Sequence, residues 1–546
     1  MANKALFGVV PRTSRETPAT TTVNAAGGRA YDFTARHALA QIAATNCFNG
    51  TYYVDADSNL KIAKEAVAKL HNDPEFIAKV AVFSRSKGYM KDMPAYLTAV
   101  LATLDSKLFR KVFPKVIDNG KMLRNFVQIG RSGQAGKKLN MTARSIRGAI
   151  CDWFENHTAD FIFRASIGND PTMRDILRMA RPRPESGEKA ALYAYLKGAE
   201  VKEGEYLTFH KDGSVRYRHS FDALPSIIKQ YEGFKKSHAG EIPKVDFRML
   251  DSILTKDEAR KMWQAQARTA AWTMTRMNLN NFAKYGVFDS KELTEIVAKR
   301  LANREEILKA RAYPYQLLMA YNATTNVPPV VRESLQDAME TALENVPAIE
   351  GPIYICVDTS GSMASPVTGY RAGATTSVRC LDVAALFAAA MLRKNKLAEV
   401  LLFDTSVHRV NVNPRDSVMT NAKLFARNGG GTDCSCALRD LNSRQAKGNS
   451  VIFISDNESW VDSGVHYGYR NGTGMLTEWN TFHARNPKSR LVCIDLTPRA
   501  NSQLKDSDEI LQVGGFGDAV FDVVASFIEH GSSSNHWVDM IEKTEL

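Results

Sequence analysis

Between residues 31 and 345 apolar side chains recur three and four positions apart, the spacing of one face of a helix. In residues 59–73, Ile62, Ala63, Ala66, Val67 and Leu70 form such a stripe. Asp73-Pro74 then reads as an N-cap followed by a first-turn proline. The helix it opens is predicted to carry Phe76, Ile77, Val80 and Phe83 on one face. Met93-Pro94 opens another, with Leu97, Val100, Leu101 and Leu104. Residues 1–30, rich in Thr, Ala and Gly, lack a stripe and read as a flexible arm.

Short turns between successive helices predict stacked antiparallel pairs, an α-solenoid of the HEAT type, although no strict sequence period is present. After Pro347 the texture changes. PIYICVD (352–358), EVLLFD (399–404), VIFISD (451–456) and RLVCIDL (490–496) are short apolar runs, each ending at or near Asp. Helical stretches such as LDVAALFAAAML (381–392) separate them. Buried strands alternating with helices predict a doubly wound α/β sheet. The predicted class is therefore α plus α/β: an arm (1–30), a helical-repeat domain (31–349) and an α/β domain (350–546).

The composition is that of a globular protein, 44% hydrophobic and 24% charged over 546 residues. No apolar run approaches the roughly 20 residues of a membrane span, and the N-terminus lacks the apolar centre of a signal peptide. Seven scattered cysteines suggest free thiols in the cytoplasm. Cys434-Ser435-Cys436 is the one close pair, and no second pair or His cluster completes a zinc site. The net charge of +12 is uneven: residues 351–546 hold 19 Lys/Arg against 21 Asp/Glu, so the whole positive excess lies in the first 350 residues. A basic domain joined to a neutral one suggests a polyanion ligand for the first.

The α/β part carries its own candidate chemistry. Ligands of such sheets bind beyond the carboxyl ends of the strands, where Asp358, Asp404 and Asp456 lie. Asp358-Thr359-Ser360-Gly361-Ser362 leaves the first strand, alternating a carboxylate with two hydroxyls, so that all three can face one point. Gly429-Gly430-Gly431-Thr432-Asp433 offers the Thr432 hydroxyl, and Asp456 follows a later strand. Hard oxygen donors of this kind suit Mg²⁺ or another divalent cation. Asp433 is open as a ligand in place of, or beside, Thr432, and Asp404 reads as a loop cap. DxSxS, a Gly-rich Thr and a strand-end Asp in this order resemble the metal-ion-dependent adhesion site of von Willebrand factor A domains. That resemblance implies direct ligation by Ser360 and Ser362. Asp358, Thr432 and Asp456 would ligate directly or through water, and the open position would take a partner's carboxylate.

The densest basic stretch, 107–147, holds eleven Lys/Arg against one acid, Asp118, and continues through Arg164, Arg174, Arg178, Arg181 and Arg183. Such density favours phosphate contacts over a merely solvated face. ALAQIAATNCFNGTYY (38–53), VAVFSRSKGYMKDMPAYLTAVLA (80–102), RSIRGAICDWFE (144–155) and WTMTRMNLNNFAKYGVF (272–288) resemble the TROVE module of the Ro autoantigen family. VDTSGSM (357–363), ISDNESW (454–460) and VGGFGDAVFDVVASFI (513–528) also look like Ro proteins. The texture of the chain suggests a bacterial or phage relative.

The resemblance implies a monomeric ring of HEAT-like helical repeats closed by the von Willebrand A domain. It further implies that the protein scaffolds RNA without cleaving it. Small structured Y-like noncoding RNA would bind a basic outer surface, and single-stranded RNA ends a central hole, in RNA quality control. An exoribonuclease or another protein would be a partner. The family's basic loop and helix are matched by Lys137, Lys138, Arg144 and Arg147. Arg181 stands where the family has a histidine and Arg183 where it has a lysine, a departure that bears on partner identity. For the hole the candidates are Arg268, Arg276, Asn278 and Asn281. Trp153 and Trp272 read as core.

Two other readings stay open. One is a metal-dependent nuclease at Asp358. Against it, hydroxyls outnumber carboxylates, His408 and His466 are isolated, and no GxSxG, P-loop or HExxH is present. The other is a metal-dependent protein-adhesion module whose basic solenoid binds acidic proteins.

Overall fold

The fold is that of a computed structural model, which describes residues 17–45, 56–88, 90–202, 205–209, 212–310, 312, 314–346, 348–367, 369–370, 378–427, 429–461, 472–515, 519–530 and 536–546. Two short strands, β1 (Thr22–Val23) and β2 (Arg29–Asp32), open the described chain. Three more, β3 (Glu200–Lys202), β4 (Glu205–Phe209) and β5 (Val215–Ser220), interrupt the helical middle. The others are β6 (Ile353–Asp358), β7 (Ala398–Phe403), β8 (Val407–His408), β9 (Ser450–Ser455), β10 (Arg490–Asp495), β11 (Asn501–Ser502) and β12 (Ile510–Gly514). The chain divides into two compact units. One comprises Val67–Arg300, Asn326–Pro328 and Ile541–Leu546; the other comprises the described residues of Met1–Ala66, Leu301–Thr325 and Pro329–Met540.

In the helical unit, helices Pro74–Ser86, Asp92–Leu104, Ser106–Val116, Gly120–Ser132 and Arg144–Asn156 follow one another; the first two pack on both the next helix and the one after, and the others on the one after. This nearest-neighbour layering is that of a solenoid. Asp73 caps its helix by accepting from the Phe76 amide at 3.3 Å, and Pro74 occupies the first turn. Phe76, Ile77, Val80 and Phe83 are all buried. Between layers, the Phe113 ring meets Phe126 edge-on at 5.1 Å, and Phe109 stacks on Phe126 at 5.8 Å. Each such ring removed from water contributes roughly 1.5–3 kcal/mol. The middle is not wholly helical, as the 3.6-residue pattern implied. β3, β4 and β5 form an antiparallel sheet there, with Gly213 at φ +84° in the β4–β5 turn.

In the second unit a six-stranded sheet runs in the order β12-β10-β9-β6-β7-β8, parallel except for the edge strand β8. Helix Cys380–Lys394 lies against it, with every residue from Cys380 to Leu392 buried except Asp382. Cys356, Phe403, Phe453, Trp479 and Phe482 share one core cluster with Cys434, Cys436 and Cys493. Six cysteines lie among the described residues, and all are free. Cys47 lies outside the described residues. Cys434 and Cys436 are apolar filling here, and burial raises the Cys436 thiol far above its ordinary pKa.

Two boundaries differ from the expected ones. Residues 17–30 are not a flexible arm: β1 pairs with β2, and β2 pairs with β11, so the segment is built into the sheet unit. Tyr31 enters that unit's core and donates its hydroxyl to the Pro18 carbonyl at 2.8 Å. Nor does the α/β unit begin at 350. Helix Pro314–Ala323 packs on helix Cys380–Lys394, Glu340 accepts from the Val418 amide, and Lys394 donates to the Leu343 carbonyl. Residues 541–546 instead join the helical unit, where Glu542 pairs with Lys79 at 2.9 Å. Among the described residues no helix is long and apolar enough to cross a membrane.

Candidate functional site

The connection from β6 runs to β7 on one side, and that from β9 to β10 on the other. This reversal opens a crevice at the carboxyl ends of β6 and β9, where parallel sheets bind ligands. Asp358 ends β6 and Asp456 follows β9, so both flank it. Asp358 is 0% exposed and Asp456 4%. The Ser360 amide donates to Asp358 Oδ1 at 2.8 Å and the Ser455 hydroxyl to Oδ2 at 2.6 Å. Ser360 and Ser362 bring their Oγ atoms to 3.2 Å of each other, and the Ser362 hydroxyl also bonds Asp456.

A third loop closes the group. Gly361 N–H donates to the Gly430 carbonyl at 3.0 Å and Gly429 N–H to the Thr359 carbonyl at 2.6 Å, which seats the glycine loop on the Asp358–Ser362 turn. The Trp460 and Val461 amides in turn donate to the Thr432 carbonyl. Thr432 is 1% exposed, and among the described residues its Oγ1 has no hydrogen-bond partner. A buried hydroxyl without a partner costs roughly 1–3 kcal/mol unless something meets it.

Electrostatics point the same way. Burial first, and the neighbouring Asp456 charge second, push the Asp358 carboxyl well above the usual range, against the Ser455 and Ser360 donors. Burial likewise raises Asp456, opposed by Ser362 and by the Arg499 charge. Two buried carboxylates and three hydroxyls, that of Thr432 among them, fit a hard divalent cation, whose charge would offset their repulsion. Among the described residues no three His, Cys, Asp or Glu side chains converge; hydroxyls make up the balance.

Asp433 does not share this role. Its Oδ1 accepts from the Ser435 amide and hydroxyl, and Oδ2 from Arg439, so both oxygens are committed to helix Ser435–Ser443. Asp404 is a loop cap. Burial disfavours its charge, but the His408 ring and the amides of Gly430 and Ser406 hold its pKa down at about 2. His408 is thus tied to Asp404 at 2.9 Å; His466 lies outside the described residues. Sequence reasoning missed Ser455, which orients Asp358, and the buried pair Glu458–Arg499 at 2.6 Å beside Asp456. A hydroxyl at a strand end carries no motif, and the Glu–Arg pair spans 41 residues.

The basic candidates belong to the helical unit. Helix Arg144–Asn156 buries Ile146, Ala149, Ile150, Trp153 and Phe154, leaving Arg144 and Arg147 exposed. Lys137 and Lys138 are exposed on the preceding loop, which is held by buried Leu139 and Met141. The Cys151 thiol reaches the Ala180 carbonyl at 3.5 Å, so the end of helix Met173–Ala180 lies against the same helix. Arg181 follows there at φ +51°, then buried Pro182 and exposed Arg183. Among the described residues none of these six cations has an ion pair, and Asp118, the stretch's one acid, is held by Arg85 at 2.7 Å.

Three of the four candidates for the hole lie on consecutive helices, Lys256–Thr269, Trp272–Met277 and Leu279–Lys284, and Asn278 joins the last two. Their polar ends meet protein partners. Arg268 forms a two-pronged pair with Glu292, and Arg276 lies over the Trp272 ring. Asn281 donates to Asn278, which donates to the Met274 carbonyl. Trp153 and Trp272 are core residues.

The family model of the Ro60 vWA domain matches residues 353–528, and that of the TROVE domain residues 233–346. The basic stretch 107–183 precedes the second match. "RNA-binding protein RO60" of Caenorhabditis elegans is 22% identical over 503 aligned residues, covering 80% of this chain and 74% of the relative. The crystal structure of the Deinococcus radiodurans RO (RSR) protein covers 91% of this chain and 100% of its own, with a TM-score of 0.61 at 17% identity, which establishes a shared fold. With a TROVE segment and a Ro60-type von Willebrand A domain in one chain of that fold, the protein belongs to the Ro family.

Proposed function

We propose that the protein is an RNA-binding scaffold of the Ro type. Lys137, Lys138, Arg144, Arg147, Arg181 and Arg183 grip the phosphates of a small structured, Y-like noncoding RNA. Single-stranded RNA ends bind at the segment of Arg268, Arg276, Asn278 and Asn281. The carrying observation is the exposed set of cations with no ion pair among the described residues. Its phosphate contacts release counterions, so affinity falls with salt. The relative named as an RNA-binding protein supports the same ligand class.

Asp358, Ser360, Ser362, Thr432 and Asp456 hold Mg²⁺ in this reading. The cation supplies a Lewis-acidic position for the carboxylate of a protein partner, such as an exoribonuclease. These residues orient it.

Titrating a hairpin RNA with single-stranded tails in gel shifts between 50 and 300 mM salt tests the RNA reading. A steep fall of affinity with salt supports it; no binding at 50 mM refutes it. No RNA shift at 50 mM, with binding of a polyacidic peptide, would favour the adhesion module instead.

A further inference from the structure

The N-terminal hairpin sits on the back of the candidate metal loops. Between β1 and β2 the chain turns through Asn24-Ala25-Ala26-Gly27-Gly28. Asn24 is 5% exposed, and its Oδ1 accepts from Gly28 N–H at 2.7 Å. Its Nδ2 reaches out of the turn to the Ser459 carbonyl at 2.7 Å. Ala26 N–H donates to Glu458 Oε2 at 3.0 Å, while Glu458 Oε1 is held by Arg499. The approach is close enough that a Cβ on Gly28 would lie 1.9 Å from the Ser459 carbonyl oxygen.

Glu458 and Ser459 in turn reach both outer loops of the site. The Glu458 amide faces Asp456 Oδ1 at 3.4 Å. The Ser459 hydroxyl accepts from the Cys434 amide at 3.0 Å and lies 3.4 Å from the Thr432 carbonyl. One residue on, the Trp460 amide donates to that carbonyl. A grip on residues 458 and 459 is therefore a grip on the loops that present Asp456 and Thr432.

We propose that the hairpin Thr22–Asp32 is a positioning element of the cation site, with Asn24 and the Ala26 amide fixing, through Ser459 and Glu458, the loops that carry Asp456 and Thr432. The inference rests on the reading that these residues hold a divalent cation. Asn24 touches no ligand; it acts through Ser459. Coupling of this kind is reciprocal: by whatever factor the docked hairpin tightens the cation, the cation tightens the docked hairpin.

Mn²⁺ titration and amide hydrogen exchange of the full chain test it. In the unmodified protein, saturating Mn²⁺ should slow exchange of the residue 24–28 amides by about tenfold, within the usual range of coupling. Asp358→Ala should abolish that slowing, which excludes a general effect of the ion. Asn24→Ala should lower Mn²⁺ affinity by a similar factor. If the unmodified protein binds Mn²⁺ but hairpin exchange does not respond, the proposal is overturned. Unchanged affinity in Asn24→Ala, with the Asp358→Ala control behaving as expected, overturns it as well. No Mn²⁺ binding by the unmodified protein would instead refute the metal reading, and this one with it. The exchange measurement needs no hairpin variant, so it decides the matter even if Asn24→Ala does not fold.

Discussion

Ser455 donates its hydroxyl to Asp358 Oδ2 at 2.6 Å, joining the last residue of β9 to the last residue of β6. With the Ser360 amide on Oδ1, both carboxylate oxygens are oriented before any cation arrives. Groups that orient a metal ligand are typically worth 10–100-fold in affinity. Ser455→Ala should therefore weaken Mn²⁺ binding by about 10-fold. Asp358→Ala should abolish it, and both variants should keep their affinity for structured RNA. Calorimetric Mn²⁺ titration beside gel shifts checks this; parallel loss of RNA binding would unite two functions that are here assigned to different units.

The raised Asp358 and Asp456 carboxyls give the cation a pH signature. A carboxyl whose folded pKa lies above its unfolded value favours the folded state most when protonated. That advantage is lost as pH rises from the ordinary carboxylate range through the raised value, leaving two buried like charges. A divalent cation cancels that cost only where the groups are ionised. The rise in melting temperature on adding Mg²⁺ should thus be small at pH 5 and larger at pH 8. An equal shift at both values, by differential scanning calorimetry, contradicts the assignment.

The exposed cations of the helical unit predict a salt signature. Reversing Lys137, Lys138, Arg144 and Arg147 to Glu should weaken structured-RNA binding by at least about 100-fold at 100 mM salt. It should also flatten the slope of log affinity against log salt by about 3–4 units, near one per lost phosphate contact. Circular dichroism should be unchanged, because none of the four side chains is buried. Unaltered affinity at low salt rules out this surface.

Lys189 offers a stability test independent of function. It is 5% exposed, and its ammonium donates to the Phe154 and Glu155 carbonyls at 2.9 and 2.7 Å and pairs with Glu185. It thereby satisfies the end of helix Arg144–Asn156. Lys189→Met keeps the aliphatic stem but leaves those carbonyls unmet, and should cost about 1–3 kcal/mol in urea unfolding.

The sequence disclosed what is written in contiguous runs and hid what depends on distant pairing. β6, β7, β9 and β10 were legible because each is an unbroken apolar run closed by Asp or Ser-Asp. β12 was not, because Ile510–Gly514 is short and carries a buried Gln512 whose side chain bonds the Leu504 carbonyl and Asp506. β3–β5 lie inside a helical texture and are held by one another's backbones. The order Asp358, Ser360, Ser362, Thr432, Asp456 was visible as spacing. The choice between Thr432 and Asp433 was not, since it turns on direction: Asp433 is committed to Ser435 and Arg439. Arg268 looked available in sequence because its partner, Glu292, lies 24 residues away.

The sheet β1–β2–β11 sets a timetable for synthesis. Asn501 reaches back to the Val23 carbonyl, 478 residues earlier. On the ribosome that hairpin is made 478 residues before Asn501, and β2 must wait that long for its second neighbour. The solenoid, whose helices mostly meet sequence neighbours, can assemble as it is made. Maturation of the sheet unit thus waits for residue 501, and a chain stalled before it would expose the edge of β2 to other strands.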